Sequence, residues 1–330
     1  MDVTVAPWEI ESMSQDLNYL ENSQLEMLLL ITGIPGFIIT LAGLAGNAVV
    51  IWLLAFRMQR NAFSVYILNL AGADFICLCT HMVASIMYLV RYSKLLSKNL
   101  VPVFWIAFLT PYFASMSILT AISTERCLSV LKPIWYRCHR PKHMSSVVCG
   151  LLWVLSLLLT ILKLKFCNLL SEQCDGDLNR QIDFSIVTWL VFSFVLMFGS
   201  SLVLLTRLLC GSQKIKLTRL YVTIGVTVLV FILCGLPWGI TYFLLKGLLT
   251  VPEMIRFKVH VVLNVLTAVN SCANPIIYFF VGSYRHQQRH QRRSLKVILQ
   301  RALQDVPEED GRQGSPPQET LEMSGDTHVA

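Results

Sequence analysis

Glu125 and Arg126 stand side by side after a stretch, Asn99 to Thr124, that carries no charged side chain. At about 1.5 Å per helical residue such a stretch crosses a hydrocarbon core of about 30 Å, so a carboxylate and a guanidinium arrive together at the inner end of a membrane span. A pair of this kind satisfies itself by charge-assisted hydrogen bonding until the arginine is offered a better partner, which is the physics of a latch. The alternative is a pair of ordinary flanking charges at the interface. A second acid lies deeper. Asp74 sits between Leu70-Ala71-Gly72-Ala73 and Phe75-Ile76-Cys77, where an ionised group is expensive and is expected to be paired or functional. His81, further along the same run, stands alone and reads as an interior or pocket-lining imidazole rather than a metal ligand.

Depth groups these residues. Counting inward from helix ends at Phe56, Ala62, Arg126 and about Val281 puts Asn47, Asp74, Ser115 and Asn270 in one layer, all about 15–18 Å deep. Asn274 lies one turn from Asn270 on the same face and extends the layer inward. One carboxylate ringed by amides and a hydroxyl suits a small hard cation such as Na⁺, held by Asp74 and Ser115 with water filling the rest. No other cofactor is expected.

The elements that must position these groups follow from hydropathy. Of 330 residues, 55% are hydrophobic and 14% charged, a balance that points to a core facing lipid. Seven runs are long enough to span: 27–56, 62–90, 99–124, 144–166, 184–206, 220–245 and 259–281. The fold class is therefore all-α, a seven-helix transmembrane bundle. Arg57 and Arg60 follow the first run, Lys132, Arg137, Arg140 and Lys142 the third, Arg207, Lys214, Lys216 and Arg219 the fifth, and Arg285, Arg289, Arg292, Arg293, Lys296 and Arg301 the seventh; with these sixteen of the chain's 27 Lys and Arg on one side, that side is cytoplasmic and the N-terminus lies outside. The net charge of +7 reports this topology and an anionic inner leaflet, not nucleic-acid binding. Residues 1–26 carry six acids and no Lys or Arg and read as a disordered outer tail. Residues 27–282 form the membrane domain, 283–305 a basic amphipathic helix along the lipid surface, and 306–330 a disordered cytoplasmic tail. No cleavable signal peptide and no N-glycosylation acceptor are expected.

Two spans carry breaks. In the sixth, Gly235 and Pro237 read as a hinge, because proline removes one backbone hydrogen bond and glycine loosens its surroundings. In the seventh, Pro275 is expected to break the helix near the inner surface, with Tyr278 beyond it. Of ten cysteines, Cys167 and Cys174 fall on the oxidising side and are expected to bridge, closing a small loop between the fourth and fifth spans.

Taken in order on seven spans, Gly46-Asn47, Leu70-Ala71-Gly72-Ala73-Asp74, Glu125-Arg126-Cys127, Trp153, Pro237 and Asn274-Pro275-Ile276-Ile277-Tyr278 resemble the rhodopsin-like G-protein-coupled receptors. Arg60-Asn61-Ala62-Phe63-Ser64-Val65-Tyr66, Ser123 to Val130, Pro133-Ile134-Trp135-Tyr136-Arg137-Cys138 and Leu299 to Asp305 narrow the resemblance to Mas-related receptors of the X, A and C subgroup of sensory neurones and mast cells. The resemblance implies a plasma-membrane receptor, not an enzyme, that answers an extracellular peptide or small molecule through heterotrimeric G proteins (Gq, Gi) and arrestin. It implies that Glu125, Arg126, Ile134 and Tyr278 serve G-protein coupling, with Arg126 meeting the C-terminal helix of Gα and Ile134 packing into it. It also implies that Asp74, Ser115, Asn270 and Asn274 form a sodium-linked core.

Three departures accompany it. Gly235 stands where most relatives carry a tryptophan switch, the outer end of the third span has no cysteine, and Glu and Cys replace the usual Asp and Tyr around Arg126. In the X subgroup, receptors of cationic ligands resemble one another in a Glu near the outer end of the fourth span and an Asp opening the fifth. Here Asp183 is present, but Lys163 holds the first position. With His81 and Trp238 these two define a candidate ligand pocket whose mouth is basic, so agonists carrying few positive charges are expected. A transporter would show internal repeats and paired broken helices, and a seven-span hydrolase a His cluster with Asp or Ser; neither pattern is present in the sequence.

Overall fold

In hydrocarbon a backbone has no partner but itself, and a helix is the local way to satisfy every peptide group. The computed structural model describes residues 7–57, 62–89, 100–166, 176–210, 219–247 and 252–283, and nearly all of them are helical. In chain order they are α1 (Pro7–Trp52) with a π-helical turn at Leu53–Arg57, α2 (Ala62–Leu89), α3 (Leu100–Leu131), the short α4 (Pro133–Cys138), α5 (Met144–Phe166), α6 (Gly176–Cys210), α7 (Arg219–Val230), a π-helical turn at Phe231–Gly235, α8 (Leu236–Gly247) and α9 (Glu253–Ser283). Among the described residues seven helices are long and apolar enough to cross a membrane, at 31–57, 62–87, 102–131, 144–165, 180–207, 225–243 and 258–277. These match the seven runs expected from hydropathy.

Four local expectations change. Residues 7–26, expected to be disordered, are helical and continuous with the first span. Pro7 fits the first helical position, acids follow it, and no glycine or further proline interrupts the chain before Gly33. The third helix runs on to Leu131, so Glu125 and Arg126 sit within its last two turns rather than at its end. Pro275 lies inside α9 without breaking it, as prolines do when neighbouring helices support the freed backbone. The Pro237 hinge is a π-helical turn whose last residue is Gly235, two positions before the proline.

The bundle is built around α3. Its membrane window is 72% buried, against 22% for α6 and 28% for α5, and it packs against α2, α5 and α6. Leu54, Tyr66, Leu70, Phe113, Met116 and Phe231 fill the interior, while Leu151, Val154, Phe192 and Val195 face outward from α5 and α6, as lipid-facing positions must. Gly43 and Gly46 bring α1 close to its neighbours. A Cβ on Gly43 would lie 2.8 Å from Leu78 and 3.1 Å from Cys272, and one on Gly46 3.0 Å from Pro275. Trp153 on α5 donates its indole N–H to Asn69 Oδ1 on α2 at 3.2 Å, tying the fourth span to the second.

Candidate functional site

At the end of α3, Glu125 has partners beyond its sequence neighbour. Glu125 Oε1 accepts hydrogen bonds from the Tyr136 hydroxyl at 2.8 Å and from Arg140 Nε at 2.7 Å, and Arg140 also pairs with this carboxylate as an ion. These contacts arise because α4 and the turn after it fold back under α3 and present Tyr136 and Arg140 to the carboxylate. Arg140 further donates to Ser145 Oγ at the start of α5. Burial first, and the hydrogen bond from Tyr136 to Glu125 second, push the Tyr136 phenol up to about 12, so it remains a donor throughout the physiological range. The Arg126 guanidinium lies over the Phe63 ring, 4.0 Å from its centroid, a cation–π contact that tethers it toward α2.

Held by these contacts, α4 presents apolar surface inward of the bundle: Ile134 is 78% exposed and Trp135 41%. Pro133 at its first turn starts the helix without needing a donor. The side chain of Tyr278 lies outside the described residues, as do Cys167 and Cys174.

At mid-depth the polar layer assembles in part. Ser115 Oγ donates to Asp74 Oδ1 at 3.1 Å and Asn274 Nδ2 to Asp74 Oδ2 at 2.6 Å, so the second, third and seventh spans meet on one carboxylate that is fully buried. Asn47 joins from α1 by donating to the carbonyls of Gly43 and Ser271, both at 3.0 Å, and its Oδ1 is buried with no hydrogen-bond partner. Asn270 stands against the sixth span, its side-chain carbon 3.2 Å from where a Cβ on Gly235 would stand. Ser271, whose carbonyl Asn47 reaches, was not among the expected residues; a serine beside Asn270 gives no signal in the sequence. A carboxylate, a hydroxyl and an orphaned amide oxygen form a donor set that fits a small hard cation or a water.

The outer half is aromatic. Trp238, fully buried, stacks on Tyr242 with ring centroids 5.0 Å apart, meets Phe108 edge-on at 4.8 Å, and donates its indole N–H to Asn264 Oδ1 at 2.7 Å. His81 meets the same Phe108 edge-on at 5.4 Å, and its Nε2 has no hydrogen-bond partner. Two of the candidate pocket residues are therefore joined through one ring. The other two bond directly: Lys163 Nζ, on α5, forms an ion pair with Asp183 Oδ1 on α6. Their side chains are 3% and 7% exposed, and the ammonium lies 5.7 Å from the Phe243 ring centroid. Lys163 is thus bonded to Asp183 rather than standing alone at the mouth, as a buried charge needs a counter-charge.

A central α3, a buried carboxylate bridged to the third and seventh spans, and an arginine at the inner end above an exposed apolar helix are features of a signalling bundle. The 7 transmembrane receptor (rhodopsin family) model matches residues 46–278. Mas-related G-protein coupled receptor member X2 of Rhinopithecus bieti is 51% identical over 332 residues, covering 100% of each chain. Member X2 of Homo sapiens is 50% identical over 331 residues, 98% of each chain, and member X1 of Homo sapiens is 54% identical over 288 residues, 87% of this chain and 88% of that one. This chain belongs to the Mas-related G-protein-coupled receptors. It is a multi-pass membrane receptor, not an enzyme, whose family couples extracellular agonists to G proteins.

Proposed function

We propose that the receptor senses an extracellular peptide or small molecule carrying little positive charge, in signalling of the itch, nociceptive or mast-cell type, and passes the signal to Gq and/or Gi at the plasma membrane with arrestin as a later partner. The observation that supports the ligand class is the buried Lys163–Asp183 pair. A lone Asp183 would draw a cation into the bundle; with Lys163 bonded to it, the pair has no net charge and a cationic ligand gains nothing there. The aromatic surface of Trp105, Tyr242 and His260, half-buried above Trp238, supplies the remaining contact area, which suits apolar or aromatic groups.

On the inner side the reading rests on Arg126 and the exposed Ile134, and in mid-membrane on the Asp74 layer, which would hold Na⁺ through Asp74, Ser115 and Asn47. Calcium mobilisation and nucleotide exchange on purified Gαq and Gαi, with a panel of basic peptides, neutral peptides, purines and anionic amphiphiles, test the proposal. Responses to the last three classes are expected. A strongly cationic peptide that activates the native receptor at low concentration, with no gain in Lys163→Glu, would overturn the ligand reading.

A further inference from the structure

Pro237 leaves the sixth span one backbone donor short, and the helix is irregular just before it, with the π-helical turn ending at Gly235. Into this break α3 sends Tyr112. Its hydroxyl donates to the Gly235 carbonyl at 3.0 Å, so a side chain from another helix bonds the backbone of the sixth span at the last residue of the irregular turn, two positions before the proline.

The sequence makes room for it at one position. A Cβ on Gly239 would stand 2.4 Å from the Tyr112 oxygen and 3.0 Å from Leu190, closer than real atoms approach, so any larger residue expels the hydroxyl. The Tyr112 ring is itself fixed: it is buried, stacks on Phe108 at 6.2 Å, and meets Trp238 at 5.1 Å and Phe113 at 5.7 Å. Tyr112 was not among the residues singled out from the sequence, where an aromatic in the third span and a glycine one turn from another glycine in the sixth give no sign of meeting.

We propose that Tyr112 is a positioning residue for signalling, a clasp whose hydroxyl holds the sixth span to α3 at its hinge and must let go for the inner half of that span to move. The inference rests on the reading that this movement admits Gα. It takes over the role left open by Gly235, where a bulky switch residue is missing: a Cβ there would already lie 2.9 Å from the Phe231 ring. Helices whose ladder is interrupted by proline bend at that point, and losing a cross-helix bond there frees the bend.

Tyr112→Phe keeps the ring and deletes the clasp; Gly239→Ala keeps the hydroxyl and denies it space. In full-length receptor in nanodiscs, both are expected to speed amide hydrogen exchange severalfold within residues 231–239 and to raise agonist-independent nucleotide exchange on Gα severalfold per folded receptor. Because both remove the same contact, the double variant should exceed neither single one. A merely structural role would lower surface expression and leave basal exchange per receptor unchanged, which would overturn the proposal. Unchanged amide exchange in both single variants would overturn it, and so would additive effects in the double. If the native receptor activates no Gα, the functional reading fails instead, while amide exchange at 231–239 still decides whether the clasp exists.

Discussion

Removing one partner of the Lys163–Asp183 pair measures how much of the outer bundle depends on it. Asp183→Asn leaves an ammonium that is 3% exposed facing an amide, and Lys163→Met leaves a carboxylate that is 7% exposed facing a thioether. Breaking a buried pair from one side costs about 3–5 kcal/mol, because the survivor stays desolvated with that counter-charge gone. For a chain of this size each kcal/mol is worth roughly 2 °C, so each single variant should melt about 6–10 °C below the native receptor. Lys163→Met with Asp183→Leu removes both charges and replaces them by apolar groups, a change that is near neutral in other buried pairs. The double variant should therefore melt within about 2 °C of native, and the thermodynamic cycle should show a coupling of about 3 kcal/mol or more. Thermal melts of purified receptor at one fixed scan rate, with surface expression as a control, read this out. Single variants that melt like the native protein, or a double variant as unstable as the two losses added together, would refute the idea that the two charges hold each other.

Lys163→Glu should be the least stable of the set, since it sets a second carboxylate beside Asp183; at about 6 Å and an effective dielectric near 20 each unit of charge is worth roughly 3 kcal/mol. A dicationic peptide should then restore its melting temperature and gain potency in calcium mobilisation. Arg126→Ala is expected to abolish nucleotide exchange with surface expression retained, and Ile134→Ala to weaken it; full signalling by a well-expressed Arg126→Ala receptor would dismiss its role. Tyr136→Phe and Arg140→Ala each remove one bond from Glu125, so G-protein activation should weaken by about 1.5–3 kcal/mol, or tenfold to a hundredfold in potency, as α4 loses its anchor; the measurement is the Gα concentration dependence of exchange. Asp74→Asn should erase any dependence of agonist affinity on Na⁺ concentration, tested against a choline salt at equal ionic strength.

Much of this receptor is written along the chain one residue at a time. Hydropathy placed seven spans within a few residues of the helices, because burial of twenty apolar residues in lipid is decided locally and needs no partner. The depth of Asp74, Ser115 and Asn274 was legible for the same reason: rise per residue converts position into height, and these three do meet. Pro237 marked the irregular turn of the sixth span because a missing N–H is a property of the residue alone. What height does not give is the rotation and tilt of each helix about its axis, and that is where pairing is decided. Glu125 faces Tyr136 and Arg140 because α4 folds under α3; Asn270 stands against Gly235; Lys163 and Asp183, twenty residues apart, pair; and the Tyr112 hydroxyl finds a carbonyl 123 residues further on. A sequence fixes how far each side chain sits from the membrane surface, but which side chain stands opposite it is settled only when seven helices pack around α3 and their polar groups, cut off from water, take the nearest partner that geometry offers.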